Sequence, residues 1–253
     1  PYRGGISKHS ENLYNSFVKH VDIKIFNFKR QYPKLLFPGK TQFQDQNNNL
    51  EKFNSTRVVD SINPISWNNT AKKILEDKFD FVLIRYWHPF FIPCYNNICN
   101  KINSSINKIP IYAICDNILP HESYFFQRVL IKNFLSKIDA VIVMSDNVKN
   151  ELLEINKHIK YKRLFLPILD DLPIPINKND ARKLISIDLN KITLLFFGLI
   201  RDYKGLDMLL EMIGQLDNSI LNKIQLLIVG ECYEKKEKYT EIIDNYDIQE
   251  NII

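Results

Sequence analysis

Three observations predict an α/β protein made of two parallel-sheet domains. Apolar, β-rich runs alternate with helical stretches along nearly all of the 253 residues, the pattern of a parallel sheet covered by helices. Pro167, Pro173 and Pro175 cluster where neither a central strand nor a helix interior tolerates them. The length also leaves room for one large or two modest units, at roughly 150 residues each. Domains are therefore expected at 1–167 and 168–253, the second too short for a complete doubly wound sheet.

Each element follows from its local pattern. Ile6, Leu13 and Phe17 share one side of a helix expected over 6–20, followed by an alternating strand at 21–28. Pro33, Pro38, Gly39 and an Asn/Gln-rich stretch make 31–54 an irregular loop. Asn63 before Pro64 is a cap and first-turn signal, opening a helix to 78 that buries Trp67, Ala71, Ile74 and Leu75. A strand at 79–86, a helix at 90–108 and a strand at 109–115 come next. A helix at 121–137 should turn Phe126, Leu130 and Phe134 inward. A strand at 139–144, a helix capped by Ser145 and a short β-like segment at 161–166 complete the first half. Beyond the prolines the reading is a helix at 180–187, a buried strand at 191–197 and an amphipathic helix at 206–216. A strand at 224–229, a helix at 234–246 and a further strand opening at 251–253 follow.

Composition excludes several classes. Charged residues at 25% and hydrophobic ones at 45% describe an average globular chain, not a disordered, collagenous or coiled-coil one. No apolar run approaches the ~20 residues that span a bilayer, and the opening at Pro1 carries no leader, so a cytoplasmic setting is expected. Cys94, Cys99, Cys115 and Cys232 form no Cys-x-x-Cys pair and read as reduced thiols. A net charge of +5 with a pI of about 8.9 suits phosphate or an anionic surface without demanding nucleic acid. Asp170-Asp171 lacks a third ligand, so no metal site is expected. His9, His20 and His158 fall on helix faces without a companion and receive no role. The residues of the hydrolase elbow, the P-loop and the dinucleotide fingerprint are all missing.

Ligands of open α/β sheets bind outside the carboxyl ends of the strands, and three such loops carry chemistry. Gly4-Gly5 allows close backbone approach to an anion at a helix start, although two glycines equally make a plain tight turn. Gly198 ends a strand ahead of Arg201 and Lys204; the guanidinium can fork onto phosphate oxygens while the ammonium supplies a point charge. Asp116 and His121 after one strand, and Trp87 and His88 after the preceding one, bring a carboxylate, imidazoles and an aromatic face together. They suit a hydroxyl and the apolar face of a sugar, or else a helix entrance and part of the core.

Taken together, PYRGGISKH, RQYPKLLFPGKTQ, RYWHPFFIP, CDNILPHE, DAVIVMSDNVKNEL and FFGLIRDYKGLDMLLE resemble a bacterial glycosyltransferase of family 4, of the GT-B architecture. Single pieces are unspecific; their order and spacing from Pro1 to about Tyr246 carry the resemblance. It implies two Rossmann-like, doubly wound domains facing a cleft, an acceptor-side domain at 1–167 and a nucleotide-sugar domain at 168–253. The first strand and most of the second domain would be missing. It further implies that Gly4, Gly5, Gly198, Arg201 and Lys204 hold the donor diphosphate of a UDP- or GDP-sugar, used as co-substrate without cofactor or metal. Transfer would go with retention to a glycan or lipid-linked acceptor near Trp87 and His88. Many relatives carry a His where this chain has Asp116, so Asp116 or His121 would orient the acceptor hydroxyl. The acidic Glu-x7-Glu segment of such enzymes would lie past Ile253.

Two readings of other classes stand beside this one. One is a non-catalytic module binding nucleotide or sugar phosphate. The other is a basic protein docking on anionic membrane or RNA through Arg30, Lys34 and Lys40. Within the enzyme reading, no nucleic-acid partner is expected, and Trp87, Phe90 and Phe91 near basic residues suggest peripheral membrane contact.

Overall fold

Parallel pairing organises every sheet in the computed structural model, which describes residues 4–33, 55–120, 125–167 and 173–253. The chain divides into two units, to which the described residues 4–167 and 173–253 belong respectively.

The first unit opens with helix α1 (Gly5–Phe17). Strand β1 (Ile25–Arg30) then pairs in parallel with β2 (Ser55–Asp60). The expected strand at 21–28 begins later because a turn first closes the helix, with His20 N–H donating to the Phe17 carbonyl at 2.8 Å. Strand β2 has no counterpart among the sequence-based expectations. Helix α2 (Pro64–Glu76) starts where Asn63 and Pro64 predict. The Asn63 side chain accepts the Ile65 N–H at 3.0 Å, satisfying one of the helix's open donors. Of its expected inward residues, Ala71 and Ile74 are buried and Trp67 and Leu75 partly so.

A four-stranded sheet follows in simple sequence order: β3 (Val82–Tyr86), β4 (Ile111–Cys115), β5 (Ala140–Val143) and β6 (Tyr161–Arg163). Helices α3 (Ile92–Asn103), α4 (Phe125–Leu135) and α5 (Asp146–Ile155) make the crossovers, the last capped by Ser145 Oγ, which accepts the Val148 N–H at 3.2 Å. The core between sheet and helices holds Tyr86, Phe91, Ile92, Ile111, Ile131, Phe134 and Leu152, each with 1% or less of its surface exposed. Tyr86 and Phe134 stack with ring centroids 5.2 Å apart. Burying each such side chain contributes about 1.5–3 kcal/mol, which ties α4 to β3. The inward stripe of α4 is Ile131, Phe134 and Leu135, so the expectation for two of its residues is corrected: Phe126 and Leu130 lie on the exposed side, 59% and 37% accessible.

The second unit has α6 (Lys178–Leu184), then β7 (Ile192–Phe197) in parallel register with β8 (Ile224–Val229) over six residue pairs. Helices α7 (Leu206–Gly214), α8 (Asn218–Leu221) and α9 (Glu237–Asn245) surround a smaller core of Leu206, Leu210, Ile213, Leu226 and Ile248. Ile253 exchanges backbone hydrogen bonds with Leu226 and Ile228, so a third line of pairing begins where the expected strand at 251–253 was placed. The expectation that residues 191–197 are buried is corrected. Leu195 and Phe197 are 61% and 76% exposed, because among the described residues the core packs on the other side of this strand.

Candidate active-site residues

In the first unit the polar residues gather at the carboxyl ends of β3 and β4. Gly4, at φ 87° and ψ −177°, adopts a backbone conformation that only glycine takes without strain, and it caps α1. The helical ladder begins with Lys8 N–H donating to the Gly4 carbonyl at 3.1 Å, which leaves the amides of Gly5, Ile6 and Ser7 outside it. A β-carbon added at Gly4 or Gly5 would meet nothing within 4 Å, so space lies open at this helix start.

Asp116 follows β4 directly, and its amide donates to the Tyr86 carbonyl at 3.0 Å. Its carboxylate is gripped in fork geometry by Arg85 of β3: Nε donates at 2.7 Å and Nη2 donates to the other oxygen. Both side chains are only 13–14% exposed. A carboxylate held this way is fixed in direction. Arg85 is itself anchored, its carbonyl accepting from the Tyr95 hydroxyl at 3.0 Å.

His9, given no role from sequence, joins this pair. It is 8% exposed on α1. Burial holds its imidazole below the ordinary value of 6.5; the Arg85 guanidinium pushes the same way and the Asp116 carboxylate opposes. Arg85 was also missed, although a lone cation inside the apolar run Val82–Tyr86 is a sequence signal, since a charge in a buried strand requires a partner. His121 lies outside the described residues, as do Lys34 and Lys40, while Arg30 is tied to Asp60 at 2.6 Å.

Trp87 and His88 occupy different settings. The Trp87 indole packs against Phe91 at 4.6 Å and Phe28 at 6.2 Å, and its N–H donates to the Tyr32 hydroxyl at 3.3 Å. Phe91 is fully buried and Phe90 is partly packed on the same core, so these rings stabilise the unit before they serve any surface. His88 is exposed and uses Nδ1 to accept the Phe90 N–H at 3.2 Å, capping a short 3-10 turn, Pro89–Phe91. It borders a cavity of about 530 Å³ whose walls include Ile62, Trp67, Phe90, Phe126 and Leu130.

In the second unit the glycine and cation motif sits past the carboxyl end of β7. Gly198, at φ 116°, turns the chain while its N–H donates to the Val229 carbonyl at 2.9 Å. Gly230, not singled out from sequence, is required opposite: a β-carbon there would lie 1.7 Å from the Gly198 carbonyl oxygen. A glycine directly after the second apolar strand was the available signal. Arg201 is half-buried with its guanidinium 4.8 Å from the centre of the Tyr233 ring, and Lys204 is exposed. Asp202 between them is turned to Lys238 at 2.8 Å, which also holds Asp207 at 2.7 Å. These two carboxylates raise the pKa of Lys238, and the hydrogen bond from Lys238 is the largest cause that lowers that of Asp207. Among the described residues neither Arg201 nor Lys204 has an acidic partner. The described residues contain no group of His, Cys, Asp and Glu able to hold a metal ion. They also contain no helix long and apolar enough to cross a membrane.

No family model matches the chain. An uncharacterized glycosyltransferase of Methanocaldococcus jannaschii is 29% identical over 133 residues, which cover 49% of this chain and 31% of that protein. Solved structures share the fold, three of them as follows. The Anabaena protein HepE, in complex with UDP, matches at TM-score 0.59 and 13% identity over 78% of this chain and 54% of its own. Sucrose-phosphate synthase of Thermosynechococcus elongatus matches at 0.66 and 14% identity over 99% and 64%. WaaG, a glycosyltransferase involved in lipopolysaccharide biosynthesis, matches at 0.56 and 14% identity over 100% and 66%. The chain thus spans about a third of its curated relative and somewhat under two thirds of the solved ones. The likeness shows the fold: parallel, Rossmann-like α/β units of the GT-B class, as the sequence predicts.

Proposed function

We propose that this chain is part of a glycosyltransferase that moves a sugar from a nucleoside-diphosphate donor to a hydroxyl of a glycan or lipid-linked acceptor. The observation that carries the reading is the loop after β7. Gly198 opens the backbone there, and among the described residues Arg201 and Lys204 stand without carboxylate partners while Lys238 draws Asp202 aside. Such a pair neutralises a departing diphosphate in the role a divalent ion fills elsewhere. The UDP held by HepE supports a nucleoside-diphosphate donor, and the glycosyltransferase relative supports sugar transfer.

The remaining assignments extend the reading to the first unit. The open helix start at Gly4-Gly5 is a further phosphate-binding element, its free amides and dipole favouring negative charge. Asp116, fixed by Arg85, and His121 orient the acceptor hydroxyl, and Trp87 and His88 border the acceptor. Transfer goes with retention of configuration in this reading, as the sequence resemblance implies. The enzyme would work at the cytoplasmic face of a membrane if its acceptor is lipid-linked.

Calorimetric titration with UDP and with GDP tests the reading. One of them should bind saturably, and Arg201→Ala should weaken that binding about tenfold or more, the scale of a lost charge-assisted hydrogen bond. Binding indifferent to Arg201 and Lys204 would remove the diphosphate from this loop.

A further inference from the structure

Among the described residues, His9 Nδ1 and Arg85 Nη1 are covered polar atoms that lack hydrogen-bond partners, each with less than 1 Å² exposed. Buried polar atoms are nearly always paired, and here one of the two residues, Arg85, bears electrostatically on the other, His9. A helical side chain leans toward the helix N-terminus, so the imidazole reaches back over the first turn of α1, the turn that begins at Gly5.

We propose that His9 Nδ1 and Arg85 Nη1, with Asp116 fixing the guanidinium, form a binding site for a sugar hydroxyl. The hydroxyl donates its proton to Nδ1 and accepts an N–H from Nη1, satisfying both atoms with one group. The proposal rests on the reading of the chain as a sugar-transfer enzyme and names the residues that would receive the sugar. Charge selects the ligand class. The guanidinium and carboxylate cancel, and burial keeps the imidazole neutral, so the site suits a neutral group able both to donate and to accept, unlike the cationic loop at Arg201 and Lys204.

The test follows the His9 ring nitrogens by long-range proton–nitrogen NMR of the full chain. Methyl glucoside, methyl galactoside and methyl mannoside are titrated in separately, then UDP, UDP-glucose and UDP-galactose. A saturable shift of Nδ1 with a methyl glycoside supports the site and assigns it to the acceptor. A shift with a UDP-sugar but not with UDP supports it and assigns it to the donor's sugar. No response to any sugar overturns it. His9→Asn, whose amide keeps a polar atom near the Nδ1 position, should hold glycoside affinity within about threefold, whereas His9→Phe should lose about tenfold or more. Equal losses in both variants would mark His9 as structural and overturn the proposal. If UDP binds while no sugar moves Nδ1, the hydroxyl site alone is wrong; if UDP and GDP both fail to bind, the donor reading fails on its own.

Discussion

Arg85 is the charged residue within β3, and its cost there is met by Asp116. Arg85→Ala would leave a carboxylate 14% exposed without its guanidinium. Urea denaturation should show a loss of about 3 kcal/mol, the usual consequence of breaking a buried pair from one side. A loss near zero would mean that water replaces the guanidinium freely. His9 makes a prediction of the same sign as the acids, at a higher pH. Its folded pKa lies below 6.5, so above that value both states hold it neutral and it contributes no pH dependence. As pH falls below 6.5 the unfolded chain takes up a proton that the folded chain resists, and stability declines. His9→Asn should flatten the stability curve between pH 6.5 and 5 relative to the native chain. The lowered pKa values of Asp60, Asp146 and Asp207 act only further into acid, below their ordinary value of 3.8. Neither His9 nor Arg85 could be assigned from the linear chain alone. An imidazole on a helix face becomes buried only once the helix has a sheet to lie on, and a guanidinium in a strand announces a missing partner without saying which carboxylate supplies it.

Among the elements, the β7 and β8 ends depend on each other. Gly198 bends the chain where its carbonyl nearly touches Gly230, and the bridge between Ile200 and Cys232 carries the pairing past both strands. Gly230→Ala puts a methyl group within 1.7 Å of the Gly198 oxygen, and because the contact is backbone no rotamer relieves it. The midpoint of thermal unfolding should fall by several degrees, about the effect of 1–3 kcal/mol in a unit this size, and UDP affinity should fall with it as the cation loop shifts. The helices at 64–76 and 146–155 were legible because caps are local: Asn63 and Ser145 make the bonds their positions promise. Strand β2 was not. Ser55–Asp60 offers only a brief alternation behind an Asn-rich stretch, and pairing with β1 supplies the order that its own residues do not. The same reason misplaced Phe126 and Leu130. Ile131, Phe134 and Leu135 form an equally good apolar stripe, and packing beneath α4 chose between two sides that periodicity leaves equivalent.

At the scale of the whole molecule, the α/β class and the order of most elements were legible because a parallel sheet writes itself as alternating apolar runs and amphipathic helices. Burial in the second unit was not, since an apolar strand reads the same whether one face is covered or two. Leu195 and Phe197, two residues apart on one face of β7, are both exposed, as are Met208 and Met212. Apolar surface of this kind binds itself or hydrophobic dyes. Replacing Leu195 and Phe197 together by Lys should lower dye fluorescence and light scattering without changing the thermal midpoint of the first unit; unchanged scattering would show that other surface drives association. The four thiols divide as sharply as the two units do. Cys94, Cys99 and Cys115 are buried, the first two with pKa values pushed up to about 12 and the third higher still, so alkylating reagents find them neutral and covered. Cys232 alone of the four is partly open, and it sits beside Ile200, next in the chain to Arg201. A maleimide fluorophore will therefore attach at one position of the native chain, close enough to the phosphate-binding cations to report their occupancy without any engineered residue.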